Sequence, residues 1–128
     1  MICSAAGKGN LMIIKSGAGR TALTYELTLH GKDLRVHIDG GVSHLGAVTA
    51  AFDGKWETTV FPGHKEHFLT EPLAKALASA LGCRVVVTAG VHLESITAEE
   101  IREIVETNEK TAEKILSSLK KEEIGNED

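Results

Sequence analysis

The sequence is poor in the residues that staple small proteins together. Only two cysteines, Cys3 and Cys83, occur in 128 residues, in contexts too different to form a CxxC motif or a disulfide framework. Reduced thiols in a cytoplasm are therefore expected. There is no basic excess: the formal charge is -4, which gives no overall electrostatic reason to approach nucleic acid or an anionic membrane. No apolar run is long enough to cross a bilayer. The first residues lack a basic segment followed by an apolar stretch, so a secretory signal is not expected.

Several catalytic signatures are missing too. No GxSxG elbow surrounds Ser4, Ser16 or Ser43, which leaves a serine hydrolase without support. Gly17-Ala18-Gly19-Arg20-Thr21 is glycine-rich, but it lacks the GxxxxGK[ST] and GxGxxG patterns and precedes a strand, so it reads as a linker. Cys83 opens an apolar run and reads as a small core residue.

What is present describes a folded domain. Hydrophobic residues make up 42% and charged residues 25%, where a disordered chain would have fewer of the former and a larger net charge. A chain of this length can bury roughly 70% of its unfolded surface. Residues 1–20 read as a flexible segment with an edge strand at 11–15, residues 21–120 as one α+β domain, and residues 121–128 as a charged tail.

Within the domain, Leu23, Tyr25, Leu27 and Leu29 alternate with polar residues, the period of a half-buried strand. Gly31-Lys32-Asp33 turns into a second strand on which Leu34, Val36 and Ile38 share one face. Two further strands, 44–52 and 55–61, extend an antiparallel succession. The spacing then becomes helical, with Phe68, Leu69, Leu73, Ala76, Leu77, Ala80 and Leu81 on one stripe, ended by Gly82. Pro72 leaves the start of that helix open between Thr70 as cap and a start near Lys65.

The run Arg84-Val85-Val86-Val87-Thr88 does not alternate, as in a strand covered on both faces, and should be central. Thr97 and Glu100 have the spacing of a capping box ahead of a long helix with Ile101, Ile104, Val105, Asn108, Ala112, Ile115, Leu116 and Leu119 on one stripe. The order β-β-β-β-α-β-α predicts an α+β fold: an antiparallel-dominated sheet with two helices packed on one face.

Three turns combine glycine with histidine: Gly40-Gly41-Val42-Ser43-His44-Leu45-Gly46, Pro62-Gly63-His64-Lys65-Glu66 and Ala89-Gly90-Val91-His92. Glycine lets backbone N–H groups approach a ligand, and a helix N-terminus favours an anion, so Pro62-Gly63-His64-Lys65 fits a phosphate or carboxylate. A plain strand-to-helix turn reads equally well there. The imidazoles of His44, His64 and His92 could bind a divalent metal, with or without Glu66, shuttle a proton, or bond a heteroaromatic ring. No HxH or HxxxH spacing links them, so the fold would have to assemble any metal site. His37 should be exposed, and His30 and His67 read as turn and helix-surface residues. Trp56 and Phe61 either fill the core or wall a planar ligand beside Pro62.

On His44-Leu45-Gly46-Ala47-Val48, Pro62-Gly63-His64-Lys65-Glu66 and Val85-Val86-Val87-Thr88-Ala89-Gly90-Val91-His92, the chain resembles the LpdD-like family of prenylated-flavin chaperones, also labelled the D subunit of gallate-type decarboxylases. The resemblance spans roughly residues 23–119. It implies a non-catalytic homodimeric carrier that holds prenylated FMN, or FMN, after a flavin prenyltransferase has made it and delivers it to a UbiD-type decarboxylase. In that role Gly63, His64 and Lys65 would meet the phosphate. Gly40, Gly41, Ser43 and His44 would lie along the ring or ribityl chain, His92 would close the pocket, and Gly46, Pro62, Glu66 and Gly90 would complete the cofactor-binding set. Two other readings compete: a metal-binding protein or metal-dependent enzyme using His44, His64 and His92, and an interaction subunit working through the 101–119 stripe.

Overall fold

A computed structural model describes residues 11–127, with side chains through residue 120. Residues 1–10 of the flexible segment expected over residues 1–20, Cys3 among them, residue 128 and the side chains of the tail lie outside the described residues.

The strands are β1 (Leu11–Ser16), β2 (Leu23–His30), β3 (Asp33–Gly41), β4 (Ala47–Phe52), β5 (Lys55–Val60) and β6 (Val85–His92). The helices are α1 (His67–Leu81) and α2 (Ala98–Glu127), with a single 3-10 turn at Gly19–Thr21. The order across the sheet is β1-β2-β3-β6-β4-β5. Every pairing is antiparallel except β3 with β6. The fold is α+β, as the alternation predicts, with the 11–15 strand at one edge.

The sheet departs from an unbroken antiparallel succession at its centre. β3 and β4 are not neighbours, because β6 lies between them. Val85, Val87 and Ala89 are fully buried, and a strand so apolar is stable only where neighbours cover it, not at an edge. Residues 42–46 bridge over the end of β6, bonded to it through Val42 N–H to His92 O at 3.2 Å and Gly46 N–H to Ala89 O at 2.8 Å. The ends of β3, β5 and β6 and the start of β4 are thereby gathered at one edge.

Both helices cover one face. Leu23, Tyr25 and Leu27 of β2, Leu34, Val36 and Ile38 of β3 and Val85 and Val87 of β6 meet Leu69, Leu73, Leu77, Ile104 and Ile115 in one core. Full burial of such side chains stabilises by ~1.5–3 kcal/mol each. Polar links also tie the helices down. The Tyr25 hydroxyl donates to Asn108 Oδ1 at 2.7 Å, and Asn108 Nδ2 donates to Leu69 O at 3.0 Å. Thr49 and Thr70 hydroxyls bond at 2.8 Å.

The helix faces match the expected stripes in part, with Leu69, Leu73, Leu77, Ile104, Asn108 and Ile115 buried as expected. On α1 the buried columns are Leu69, Leu73, Leu77 and Thr70, Ala74, Ala78, whereas Phe68 and Leu81 are exposed. The bond from Thr70 to Thr49 fixes that rotation, so Thr70 is a core residue and not a cap. The helix runs through Pro72, which lies on the solvent side. On α2, Ile101 is exposed, and Ile104, Asn108, Thr111 and Ile115 form the buried column. The start of α2 is capped reciprocally: Glu100 N–H donates to Thr97 Oγ1 at 3.1 Å and Thr97 N–H to Glu100 Oε1 at 3.0 Å. Among the described residues no helix is long and apolar enough to cross a membrane.

Candidate functional site

The gathered edge of the sheet is where two of the three glycine-histidine turns place their imidazoles and the third its backbone. The turn after β5 closes with His64 N–H donating to Phe61 O at 3.0 Å. Pro62 is second in that turn and Gly63 third with φ +82°, the positions each residue type favours in a type II turn. It delivers Glu66 to the start of α1, where the Glu66 side chain makes no cap bond to its own helix.

Glu66 points instead into the sheet end, where it is only 5% exposed. Its carboxylate accepts Val91 N–H at 3.1 Å and Lys65 N–H at 3.1 Å. His44 Nε2 lies 2.6 Å from Oε2, and His64 Nδ1 lies 3.4 Å from Oε1. The two imidazole rings are 5.1 Å apart between centroids. A buried carboxylate survives ionised only when it is hydrogen-bonded and paired, and two amides with two imidazoles meet both needs.

Two glycines make room for this. A Cβ on Gly46 would lie 2.2 Å from Glu66 Oε1, and one on Gly90 would lie 1.7 Å from the carbonyl oxygen of His44. Neither serves a turn. Gly46 admits the carboxylate, and Gly90 lets the 42–46 bridge press onto β6, the close backbone approach that a glycine in a strand marks.

The electrostatics follow from these contacts. His44 Nδ1–H donates to Val42 O at 2.9 Å, so a bond from Nε2 to the carboxylate requires a second N–H, that of the imidazolium. The Val42 carbonyl raises the His44 pKa; desolvation opposes it, and the Glu66 carboxylate and Asp39 reinforce the rise. For Glu66, desolvation pushes the pKa up, but the Val91 amide and His44 outweigh it, and the net shift is downward. Both shifts favour the ion pair over the neutral pair.

The remaining residues expected at the site fall around it. Ser43 Oγ donates to Asp39 Oδ2 at 3.2 Å. Gly40 and Gly41 end β3 beside Val91 and His92. The His92 ring pairs with Glu94 at 3.2 Å; its backbone, not its ring, supports the corner. Lys65 is exposed. His37 is partly buried, 2.7 Å from Thr88 Oγ1, because the flanking strands shelter its face. Trp56 pairs with Ala51 at the far end of the β4–β5 hairpin, 3.8 Å under the Lys75 ammonium, and so is no wall at Pro62. Phe61 is, and with Val42 and Leu45 it forms an exposed apolar group on the same turns.

Sequence reasoning missed the centrality of Glu66 and the apolar pair Val42 and Leu45. The available signal was two glycines lying outside any turn at the ends of strands.

Residues 17–120 match the family described as prenylated flavin chaperone LpdD-like domain. The chain is similar to Protein LpdD of Lactiplantibacillus plantarum, 31% identical over 100 residues that cover 73% of this chain and 74% of that protein. It is also similar to a chain in a crystal structure of a chaperone complex for yeast 20S proteasome assembly. There the TM-score is 0.58 and the identity 15%, covering 88% of this chain and 97% of the other, a likeness of fold alone. With so much of its length matched, the chain belongs to the LpdD-like family of prenylated flavin chaperones.

Proposed function

We propose that this protein is a non-catalytic cytoplasmic carrier that, as a homodimer, takes prenylated FMN from a flavin prenyltransferase and passes it to a UbiD-type decarboxylase. The observation that carries the reading, beside the family match, is the corner itself: two imidazoles and the exposed Val42, Leu45 and Phe61 on adjoining turns.

The residues present fit a flavin mononucleotide. The three apolar side chains suit the isoalloxazine plane, and His44 and His64 offer donors to its polar edge. The amides of Lys65 and Val91 already serve Glu66, so the phosphate would be met by the side chains of Lys65 and His64. Prenylated FMN, when bound to a decarboxylase, supplies the electron sink for the chemistry; here the chain binds and orients it. An exposed corner suits a cargo that must leave again, where an enzyme buries most of its ligand.

The test is coexpression with a flavin prenyltransferase, followed by the absorbance spectrum and mass of what copurifies. The expected result is one prenylated flavin per site, transferable to apo-decarboxylase, with retention reduced at least tenfold in His44→Ala and in His64→Ala. Equal retention by both variants and the parent would remove the site from consideration.

A further inference from the structure

We propose that His44 Nε2, His64 Nδ1 and Glu66 form a binding site for one divalent first-row transition-metal ion of the zinc class.

The three ligand atoms lie within 4.8 Å of one another and are the one such group of three among the described residues. Ligand bonds to zinc are ~2.0–2.2 Å long, so the ion would replace the proton shared by His44 and Glu66, with their 2.6 Å contact lengthening and the part-exposed His64 ring turning inward. Proximity alone would be weak support. The surroundings add an independent observation, because each inner ligand is already held by backbone.

The His44 Nδ1–H is fixed on the Val42 carbonyl at 2.9 Å. That contact sets the tautomer in which Nε2 carries the lone pair whenever the second proton is absent, and it is the outer contact that metal-bound histidines characteristically make. The Glu66 carboxylate is steered by the Val91 and Lys65 amides, each at 3.1 Å, which leaves lone pairs directed at the two rings. Gly46 and Gly90 keep both arrangements in place by leaving no room for side chains of their own. The other histidine–carboxylate contacts, His37 with Asp39 and His92 with Glu94, involve one imidazole each and no comparable framework.

Two nitrogens and one oxygen select zinc, cobalt(II), iron(II) or manganese(II) over magnesium or calcium, which prefer all-oxygen shells. Three protein ligands also leave at least one position open. An anionic oxygen would fit there. Without the ion, a phosphate reaching this corner would meet the Glu66 carboxylate; with it, the local charge is reversed.

The inference does not depend on the flavin reading, and the experiment separates them. Chelator-treated protein is titrated with Co2+ and followed by visible ligand-field bands, then challenged with Zn2+, with Mg2+ as control; FMN binding is measured in parallel with and without Zn2+. One Co2+ per chain, displaced by Zn2+ and ignored by Mg2+, is expected. His64→Ala, which removes only the longer contact, made by a part-exposed ring, should lower Co2+ affinity at least tenfold, and His44→Ala likewise. Absence of Co2+ uptake by the folded parent, or uptake unchanged in both variants, overturns the site. Flavin binding with no metal response would sink this inference alone, whereas metal uptake without any flavin binding would sink only the carrier.

Discussion

Each long helix of this protein begins next to a glutamate, and the two glutamates are put to opposite uses. Glu100 folds back onto its own helix start, exchanging bonds with Thr97 and taking Arg20 Nε at 2.7 Å in the open. Arg20 also donates to the Glu94 carbonyl. Glu66 turns away from its helix, is buried at the sheet end and organises two imidazoles. A carboxylate that caps a helix strengthens local structure, whereas one driven into a glycine-lined gap, facing histidines, builds an environment for something else. Helix α1 does without a side-chain cap because its buried columns hold it against the sheet.

The largest expected effect comes from closing the gap. Gly90→Ala places a methyl group against the His44 carbonyl oxygen, a clash that only backbone movement relieves, so a loss of ~3 kcal/mol is expected in urea unfolding. A change under about 0.5 kcal/mol, the range of an innocuous surface substitution, would show that the bridge is not packed as described.

Next, Glu66→Ala leaves the Lys65 and Val91 amides without their acceptor and should lower stability by ~2 kcal/mol, while Glu66→Gln should recover part of the loss. At the other helix, Thr97→Ala removes a cap and should lower stability by ~1 kcal/mol without changing the flavin or metal titrations. If Thr97→Ala altered ligand binding as much as Glu66→Gln did, the contrast between the two helix starts would be lost.

The subtlest expected effect is on pH. In the metal-free protein the His44 pKa is raised above its ordinary 6.5 and that of Glu66 lowered below 4.5. The His44 contribution to stability is full below the unfolded imidazole pKa and fades as pH rises through the raised folded value. The Glu66 contribution is full above the unfolded carboxyl pKa and fades as pH falls through the lowered one. The pair therefore stabilises most between about pH 4.5 and 6.5, the two unfolded values. Imidazole titration by NMR should find the His44 pKa lower in Glu66→Gln than in the parent; an unchanged value would leave Val42 and Asp39 as its causes.

Much of this was legible in the sequence where partners are close along the chain. The Thr97–Glu100 box and the Pro62-Gly63 turn each need four residues, and the alternation from Leu23 to Leu29 only its own strand. The Glu66 site was not, because its partners His44 and Val91 stand 22 and 25 residues away and Glu66 itself looks like an ordinary acidic residue before a helix. His44 and His64 stood out from their glycine-rich turns, but what joins them is a carboxylate whose burial no local pattern announces. The α1 stripe was misjudged in part for a similar reason: Thr70 faces inward only because Thr49 is there to bond it.

The amino-acid pattern by itself determined the strands, both helices, the α+β class and the family, since periodicity, capping and short motifs are written in neighbouring residues. Tertiary structure alone decided which strands flank the central β6, that Gly46 and Gly90 admit a carboxylate and a carbonyl, and that His92 turns its ring to Glu94. Those outcomes depend on van der Waals contact and charge between segments that meet only after the sheet has closed.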